Sequence, residues 1–228
     1  IPSVLTFAGA DPTSGAGLQA DVLTFVSMGC HPLSVVTAVT VQDTHHVHDF
    51  WVVDAELLAE QARAVLEDGP VAAFKVGMIG SVENMVAIAQ IVSDYPDIPL
   101  VLDPILASGG GDALATEEMA GAMRELLLPL ATIITPNSIE ARRLLGDDLD
   151  EEGLVSLDDC AQALLACGAE YVLITGTHEN TPVVHNTLYG EQGKIRVDHW
   201  PRLPYGYHGS GCTLASAIAA FGRGLETA

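Results

Sequence analysis

Apolar, β-branched runs alternate with segments of helical periodicity along almost the whole chain. Strands are predicted at residues 3–8, 33–41, 71–79, 100–102, 130–135 and 171–175. Between them the apolar spacing predicts helices, several opened by a capping residue. The first spans 17–28, the second follows Asp54 to about residue 67, and the third follows Ser81 with Val82, Met85, Val86 and Ala89 on one side. Others follow Thr116 up to Pro129, Pro136-Asn137 to about residue 145, and Ser156 to Gly168. Two short β-like runs, 47–48 and 50–53, suggest a flap or edge, and 183–189 with 194–199 a hairpin. Repeated β-α alternation with near-continuous apolar strands implies a mostly parallel sheet covered by helices on both faces. No linker or internal repeat interrupts the pattern, so residues 1–228 are read as one α/β domain. In such sheets ligands bind beyond the carboxyl ends of the strands. Attention therefore falls on the residues that end them: Gly9 to Asp11, Gln42-Asp43, Gly77-Met78, Asp103, Asn137 and Gly176.

Composition narrows the partners. The chain holds 30 acidic against 9 basic residues, a formal net charge of −21, and its lysines are Lys75 and Lys194 alone. That sign disfavours nucleic-acid phosphates and anionic membranes. An acidic, lysine-poor surface suits a high-salt cytoplasm, where repulsion is screened. No apolar run approaches a membrane span and no secretion leader opens the sequence, so a cytoplasmic location is expected. Cys30, Cys160, Cys167 and Cys212 lack CxxC pairing or zinc-ligand spacing and read as reduced thiols.

The richest chemistry lies in His208-Gly209-Ser210-Gly211-Cys212-Thr213, which leads into an apolar helix. Helix N-termini present unpaired N–H groups and the positive end of the macrodipole, and glycines allow close approach of an anion. Gly15-x-Gly17 after the first strand lacks the full dinucleotide spacing, and the chain has no GxxxxGK[ST] loop. Asn137 and Glu140 lie three residues apart at a helix start. They read either as a helix cap with its acid, or as a site where Asn137 meets phosphate and Glu140 holds Mg²⁺ through water, with Asp103 sharing the task. His45, His46 and His48 read as exposed flap residues, and Trp51 and Trp200 as core or interface aromatics.

The ordered set A-G-x-D-P-x-x-G-A-G-x-Q-A-D (from Ala8), Val41-Gln42, Lys75-Val76-Gly77-Met78, Leu102-Asp103-Pro104, Thr135-Pro136-Asn137-x-x-Glu140 and His208 to Thr213 resembles hydroxymethylpyrimidine/phosphomethylpyrimidine kinases of thiamine biosynthesis. The resemblance covers almost the whole chain and implies a three-layer α/β/α, ribokinase-like fold. It implies ATP as phosphoryl donor, Mg²⁺ with K⁺ as a further cation, and a homodimer. Gly9, Asp21, Gln42 and Met78 would form the pyrimidine pocket, and Gly209, Ser210, Gly211 and Cys212 the anion hole. Cys212 would stand where sugar kinases carry an aspartate base, a role that requires its pKa to fall towards neutrality.

Two departures touch the nucleotide side. The family's A-K-S-G-D is here Ser108-Gly109-Gly110-Gly111-Asp112, and its K-G-G-H is Thr175-Gly176-Thr177-His178. Both lysines are missing, which leaves Asn137, Thr175 and His178 as the candidate nucleotide contacts. The family domain also continues beyond a point equivalent to Ala228, so part of the adenine-side wall is expected outside this sequence. The implied reaction is ATP-dependent phosphorylation of 4-amino-5-hydroxymethyl-2-methylpyrimidine and then of its monophosphate. A pyridoxal-type kinase on the same scaffold is one alternative, and a catalytically weak pyrimidine-binding or regulatory protein, favoured by the missing lysines, is another.

Overall fold

A computed structural model describes residues 1–108, 111–146 and 155–222. Its strands are β1 (Ser3–Ala10), β2 (His31–Gln42), β3 (Val47–Val52), β4 (Ala73–Val76), β5 (Leu100–Leu102), β6 (Ile133–Ile134), β7 (Tyr171–Thr175), β8 (Val183–Gly190) and β9 (Gly193–Pro201). They form one sheet in the order β3-β2-β1-β4-β5-β6-β7-β8-β9. From β2 to β7 neighbouring strands run parallel, while β3, β8 and β9 each pair antiparallel to the strand before them. The helices are α1 (Gly17–Ser27), α2 (Ala55–Asp68), α3 (Val82–Ser93), α4 (Glu117–Leu126), α5 (Ser138–Arg143), α6 (Leu157–Ala166) and α7 (Ser210–Phe221).

The two-residue period of the strands divides the core. Leu5, Phe7, Phe74, Val76, Leu100, Leu102 and Ile134 point to one face and pack with α2, α3, α4, α5 and α6. Val4, Ala73, Val101 and Ile133 point to the other, against Phe25 of α1 and Ala215 and Ala219 of α7. This is the expected three-layer arrangement. Asp54, Ser81, Thr116 and Ser156 all cap their helices as the sequence suggests. Gly168, with φ of +113°, follows α6.

One pleat beyond that second apolar row the same face turns polar. Thr6 follows Val4, Lys75 follows Ala73, and Asp103 and Thr135 follow Val101 and Ile133, all of them buried. Asp21 of α1 meets this row and is fully enclosed. It accepts from Thr6 Oγ1 at 2.6 Å, from Lys75 Nζ at 3.0 Å on each oxygen, and from Ser216 Oγ of α7 at 2.6 Å. Burial works against the Lys75 charge, yet the Asp21 carboxylate and other nearby anions hold its pKa above the ordinary lysine value. A side chain at position 77 would reach to within 2.6 Å of Lys75 Nζ, so glycine there leaves the ammonium its space.

Several expectations change. The predicted strand at 71–79 is confined to Ala73–Val76, and that at 130–135 to Ile133–Ile134. The flanking apolar residues are instead buried or half-buried in irregular connections, including a 3₁₀ turn at Leu128–Leu130, which an apolar run does not distinguish from strand. The two short runs after Gln42 join into β3, an edge strand of the main sheet. Trp51 and Trp200 lie on the two outermost strands and are about three-fifths exposed, at 61% and 58%, so neither is a core residue. No helix among the described residues is long and apolar enough to cross a membrane. Gly109 and Gly110, where one family lysine is missing, fall outside the described residues.

Removing one partner of a buried ion pair leaves an uncompensated charge, which typically costs about 3–5 kcal/mol. Lys75→Ala is therefore expected to lower unfolding free energy by about that amount. Lys75→Met combined with Asp21→Asn should recover much of the loss. Denaturant titration of the two variants checks this, and equal stability of both would contradict it.

Candidate active site

A cleft of about 340 Å³ opens at the carboxyl ends of the parallel strands, within the usual range for small-molecule sites. Gly9, Gln42 and Met78 line it, as do Asp103, Asn137, Glu140, Thr175 and His178 and the corner Gly209 to Cys212. The sequence expected all of these at one site. Asp21 is the exception. Expected in the pyrimidine pocket, it lies beneath the cleft, because its carboxylate is consumed by Thr6, Lys75 and Ser216.

On one wall, β1 and β2 end side by side. Gln42 donates from Nε2 to Thr40 Oγ1 at 2.8 Å, which fixes the amide and leaves its carbonyl oxygen for a ligand. A Cβ on Gly9 would come within 3.0 Å of Met78 Sδ, so the small residue makes room for the thioether. Beside them the turn at the end of β2 folds over. Asp43 accepts from the His45 and His46 N–H groups and from His48 Nε2, and the Val47 N–H donates to Asp112 Oδ2 at 2.9 Å. The three histidines are accounted for by these contacts, and no group of three metal-ligating side chains occurs among the described residues.

At the start of α7, Gly209 is the N-cap with φ of +76°, and the first α-helical bond runs from Thr213 N–H to Gly209 O. The Gly211 and Cys212 N–H groups precede that bond and belong to the unpaired first turn. Cys212 lines the cleft but is only 8% exposed. Burial pushes its thiol up to about 12, with Lys75 pulling down and the Asp103 and Asp21 charges adding to the rise. The condition that a base role sets, a pKa lowered towards neutrality, is not met, and burial favours the thiol in the free protein.

Asn137 and Glu140 form a reciprocal capping box. Asn137 Oδ1 accepts from the Ile139 and Glu140 N–H groups, and Glu140 Oε2 accepts from the Asn137 N–H at 2.9 Å. The structural reading of this pair is therefore present, and Glu140 still faces the cleft. Burial, then the Asp103 charge, pushes Glu140 up to about 8. Burial likewise pushes Asp103 up to about 6, against the pull of Lys75, and its Oδ2 is buried without a hydrogen-bond partner. On the far wall, Thr177 and His178 sit on a loop whose carbonyls are gathered by Arg202. Its guanidinium donates to Thr177 O at 2.6 Å and to Glu179 O and Thr181 O at 2.7 Å each.

The sequence reading missed the partnerships of Lys75 and Arg202. Lysine 75 did carry a signal, as one of two lysines in the chain and set between apolar neighbours in a strand buried on both faces. Such a residue is almost never buried unpaired. Arg202 carried none, since nothing local tells an arginine that gathers carbonyls from one in solvent.

A family model described as phosphomethylpyrimidine kinase matches residues 11–226. A hydroxymethylpyrimidine/phosphomethylpyrimidine kinase of Streptomyces coelicolor is 40% identical over 222 residues, covering 96% of this chain and 80% of that protein. The crystal structure of phosphomethylpyrimidine kinase from Clostridium difficile is similar with a TM-score of 0.81 and 32% identity, over 98% of this chain and 91% of that one. Staphylococcus aureus pyridoxal kinase in complex with AMP-PCP and pyridoxal is similar with a TM-score of 0.84 and 28% identity, over 99% and 81% of the two chains.

The buried, protonated Cys212 sets an expectation for thiol chemistry. With iodoacetamide at pH 8, the partly exposed Cys167 should be alkylated well before Cys212. Below a pKa of about 12 the thiolate fraction of Cys212 grows roughly tenfold per pH unit, so its rate should still be climbing between pH 8 and 10. Mass spectrometry of each cysteine reads both points. Fast labelling of Cys212 that levels off near neutral pH would show an activated thiolate instead.

Proposed function

The chain belongs to the phosphomethylpyrimidine kinase family, and on that premise we propose how its cleft carries out the family's reaction. The protein is a phosphotransferase of thiamine biosynthesis that phosphorylates hydroxymethylpyrimidine. The observation that carries the residue assignment is the meeting of Gln42 and Met78 with the Gly209 to Cys212 corner in one cleft.

In this reading Gln42 pairs with the aminopyrimidine edge and Met78 gives adaptable apolar contact beside Gly9. The hydroxymethyl group is directed to Cys212. ATP approaches from the side of Asn137, Thr175 and His178. Asn137 Oδ1 is occupied by its cap, so its amide nitrogen is the group that turns to phosphate. The N–H groups of Gly211 and Cys212 stabilise charge on the phosphoryl group in transfer. The alcohol oxygen attacks the γ-phosphorus, the bond to the ADP oxygen breaks, and the hydroxyl proton is released. With a pKa of about 12 Cys212 keeps its own proton and cannot take another, so the rate rests on positioning and electrostatics: the Cys212 sulfur orients the alcohol, and the hydroxyl proton passes late to a phosphate oxygen as bond formation acidifies it. The same site taking the monophosphate as second substrate is part of the proposal.

Asp103 and Glu140 suit a hydrated Mg²⁺. One Asp103 oxygen is buried without a hydrogen-bond partner, and the Asp103 charge adds to the rise that burial causes in the Glu140 pKa. Few protein carboxylates are needed, because Mg²⁺ retains waters and takes phosphate oxygens. When bound, the ion neutralises charge on the triphosphate, a task the two absent lysines leave to it and to backbone N–H groups.

Coupled assay of ADP release should show turnover on hydroxymethylpyrimidine well above that on pyridoxal. The reverse ratio would favour the pyridoxal reading, and binding without turnover would favour a regulatory protein. Cys212→Ala should lower turnover by orders of magnitude with pyrimidine binding nearly intact, and unchanged turnover would remove Cys212 from the reaction. A homodimer is proposed alongside. Val39 of β2 and its cross-strand neighbour Trp51 of β3 expose an apolar strip, 52% and 61% open respectively. Light scattering should give twice the chain mass, falling to the single mass in Trp51→Lys. A wild-type mass of one chain would end that proposal.

A further inference from the structure

We propose that His208 and Asp11 form a positioning pair that locks the anion-binding corner of α7 onto the loop after β1. The proposal rests on the phosphoryl group binding at that corner.

Asp11 is the first residue after β1 and is fully buried. Its carboxylate is a hub for its own loop, accepting from the Thr13 N–H at 2.7 Å, Thr13 Oγ1 at 2.9 Å and the Ala16 N–H at 2.8 Å. The fourth donor comes from 197 residues away: His208 Nε2 lies 2.9 Å from Asp11 Oδ2. Burial works against the Asp11 charge, but these donors together hold its pKa below the usual carboxylate value. His208 immediately precedes Gly209, the N-cap of the corner.

The fit around the bond is tight on both sides. A Cβ on Gly15 would press to within 2.7 Å of the His208 ring. A Cβ on Gly209 would collide with the Gly15 carbonyl oxygen, and the positive φ at Gly209 independently requires glycine. The two glycine loops therefore lie in direct apposition, and the imidazole–carboxylate bond is the polar tie across the seam. Ala16 and Gly17 on one side and Gly209 to Cys212 on the other all line the cleft. A shift of the seam would move the Gly211 and Cys212 N–H groups relative to the alcohol. A misplacement near 1 Å can cost about 10²-fold in rate. His208 also lines the cleft, but its Nε2 is turned to Asp11, so it acts through the backbone it fixes.

The test compares His208→Leu, which fills similar space without a donor, with His208→Gln, whose amide nitrogen can reach the position of Nε2. His208→Leu should lower kcat about 10²-fold while the KM for hydroxymethylpyrimidine changes less than about threefold. His208→Gln should recover most of kcat. Amide exchange is followed on the same proteins, and residues 15–17 and 209–212 should gain exchange together in His208→Leu and stay protected in His208→Gln. Unchanged kcat in His208→Leu, or equal impairment of both variants, overturns the proposal, as does exchange that rises in only one of the two segments. If His208→Leu fails to fold, Asp11→Asn and His208→Gln give the same exchange comparison. A wild-type protein that binds pyrimidine without turnover would end the kinase reading, while the exchange data would still decide whether the pair joins the loops.

Discussion

The contact between Lys75 and Asp21 fixes the position of nearly everything above it. Both groups are excluded from water, so neither tolerates the loss of the other. Lys75 belongs to the middle of the sheet, Asp21 to α1, and the Ser216 hydroxyl that completes the carboxylate's shell belongs to α7. Three elements that could slide on purely apolar surfaces are thereby held in one register. The apolar row of Val4, Ala73 and Val101 gives the face its cohesion, and the polar row one pleat further gives it a definite alignment.

The cleft inherits both the order and the electrostatic tension of this layer. Lys75 lies within 4.0 Å of Asp103 Oδ2 as well, and it pulls down the pKa of the Cys212 thiol. Even so, burial dominates at all three neighbouring acids, leaving Asp103, Glu140 and Cys212 with protons held more firmly than in water. The free site is therefore short of positive charge, in a chain already poor in cations. A phosphoryl donor arriving with a divalent ion would supply what the protein lacks. Anion binding at the corner then depends on oriented backbone dipoles rather than on lysine side chains.

Much of this architecture was legible from residue order, for identifiable reasons. Strand alternation and capping residues placed the helices, because Asp54, Ser81, Thr116 and Ser156 act through local geometry. The rule that ligands gather where parallel strands end picked out Gly9, Gln42, Met78 and Asp103 correctly as cleft residues. Asp21 was placed in the pocket by the resemblance instead, and its helix position gives its direction but not that Thr6, Lys75 and Ser216 lie opposite. The short extents of β4 and β6 were also hidden, since turns packed into a core are as apolar as strands. The state of Cys212 could not be read at all. A helix N-terminus and a nearby lysine argue for a low pKa, and only coordinates show that burial outweighs them.

The order in which these parts leave the ribosome has a consequence for biogenesis. The carboxylate in α1 is made early, whereas its hydroxyl partner in α7 and the glycine corner come near the end of this sequence. A nascent chain truncated before α7 would carry an open sheet face with a half-solvated ion pair on it. Closure of that face, and with it any ability to retain a ligand, must await α7. Ligand capture would thus report that synthesis has passed α7, and fragments ending earlier would present the exposed apolar surface that chaperones recognise.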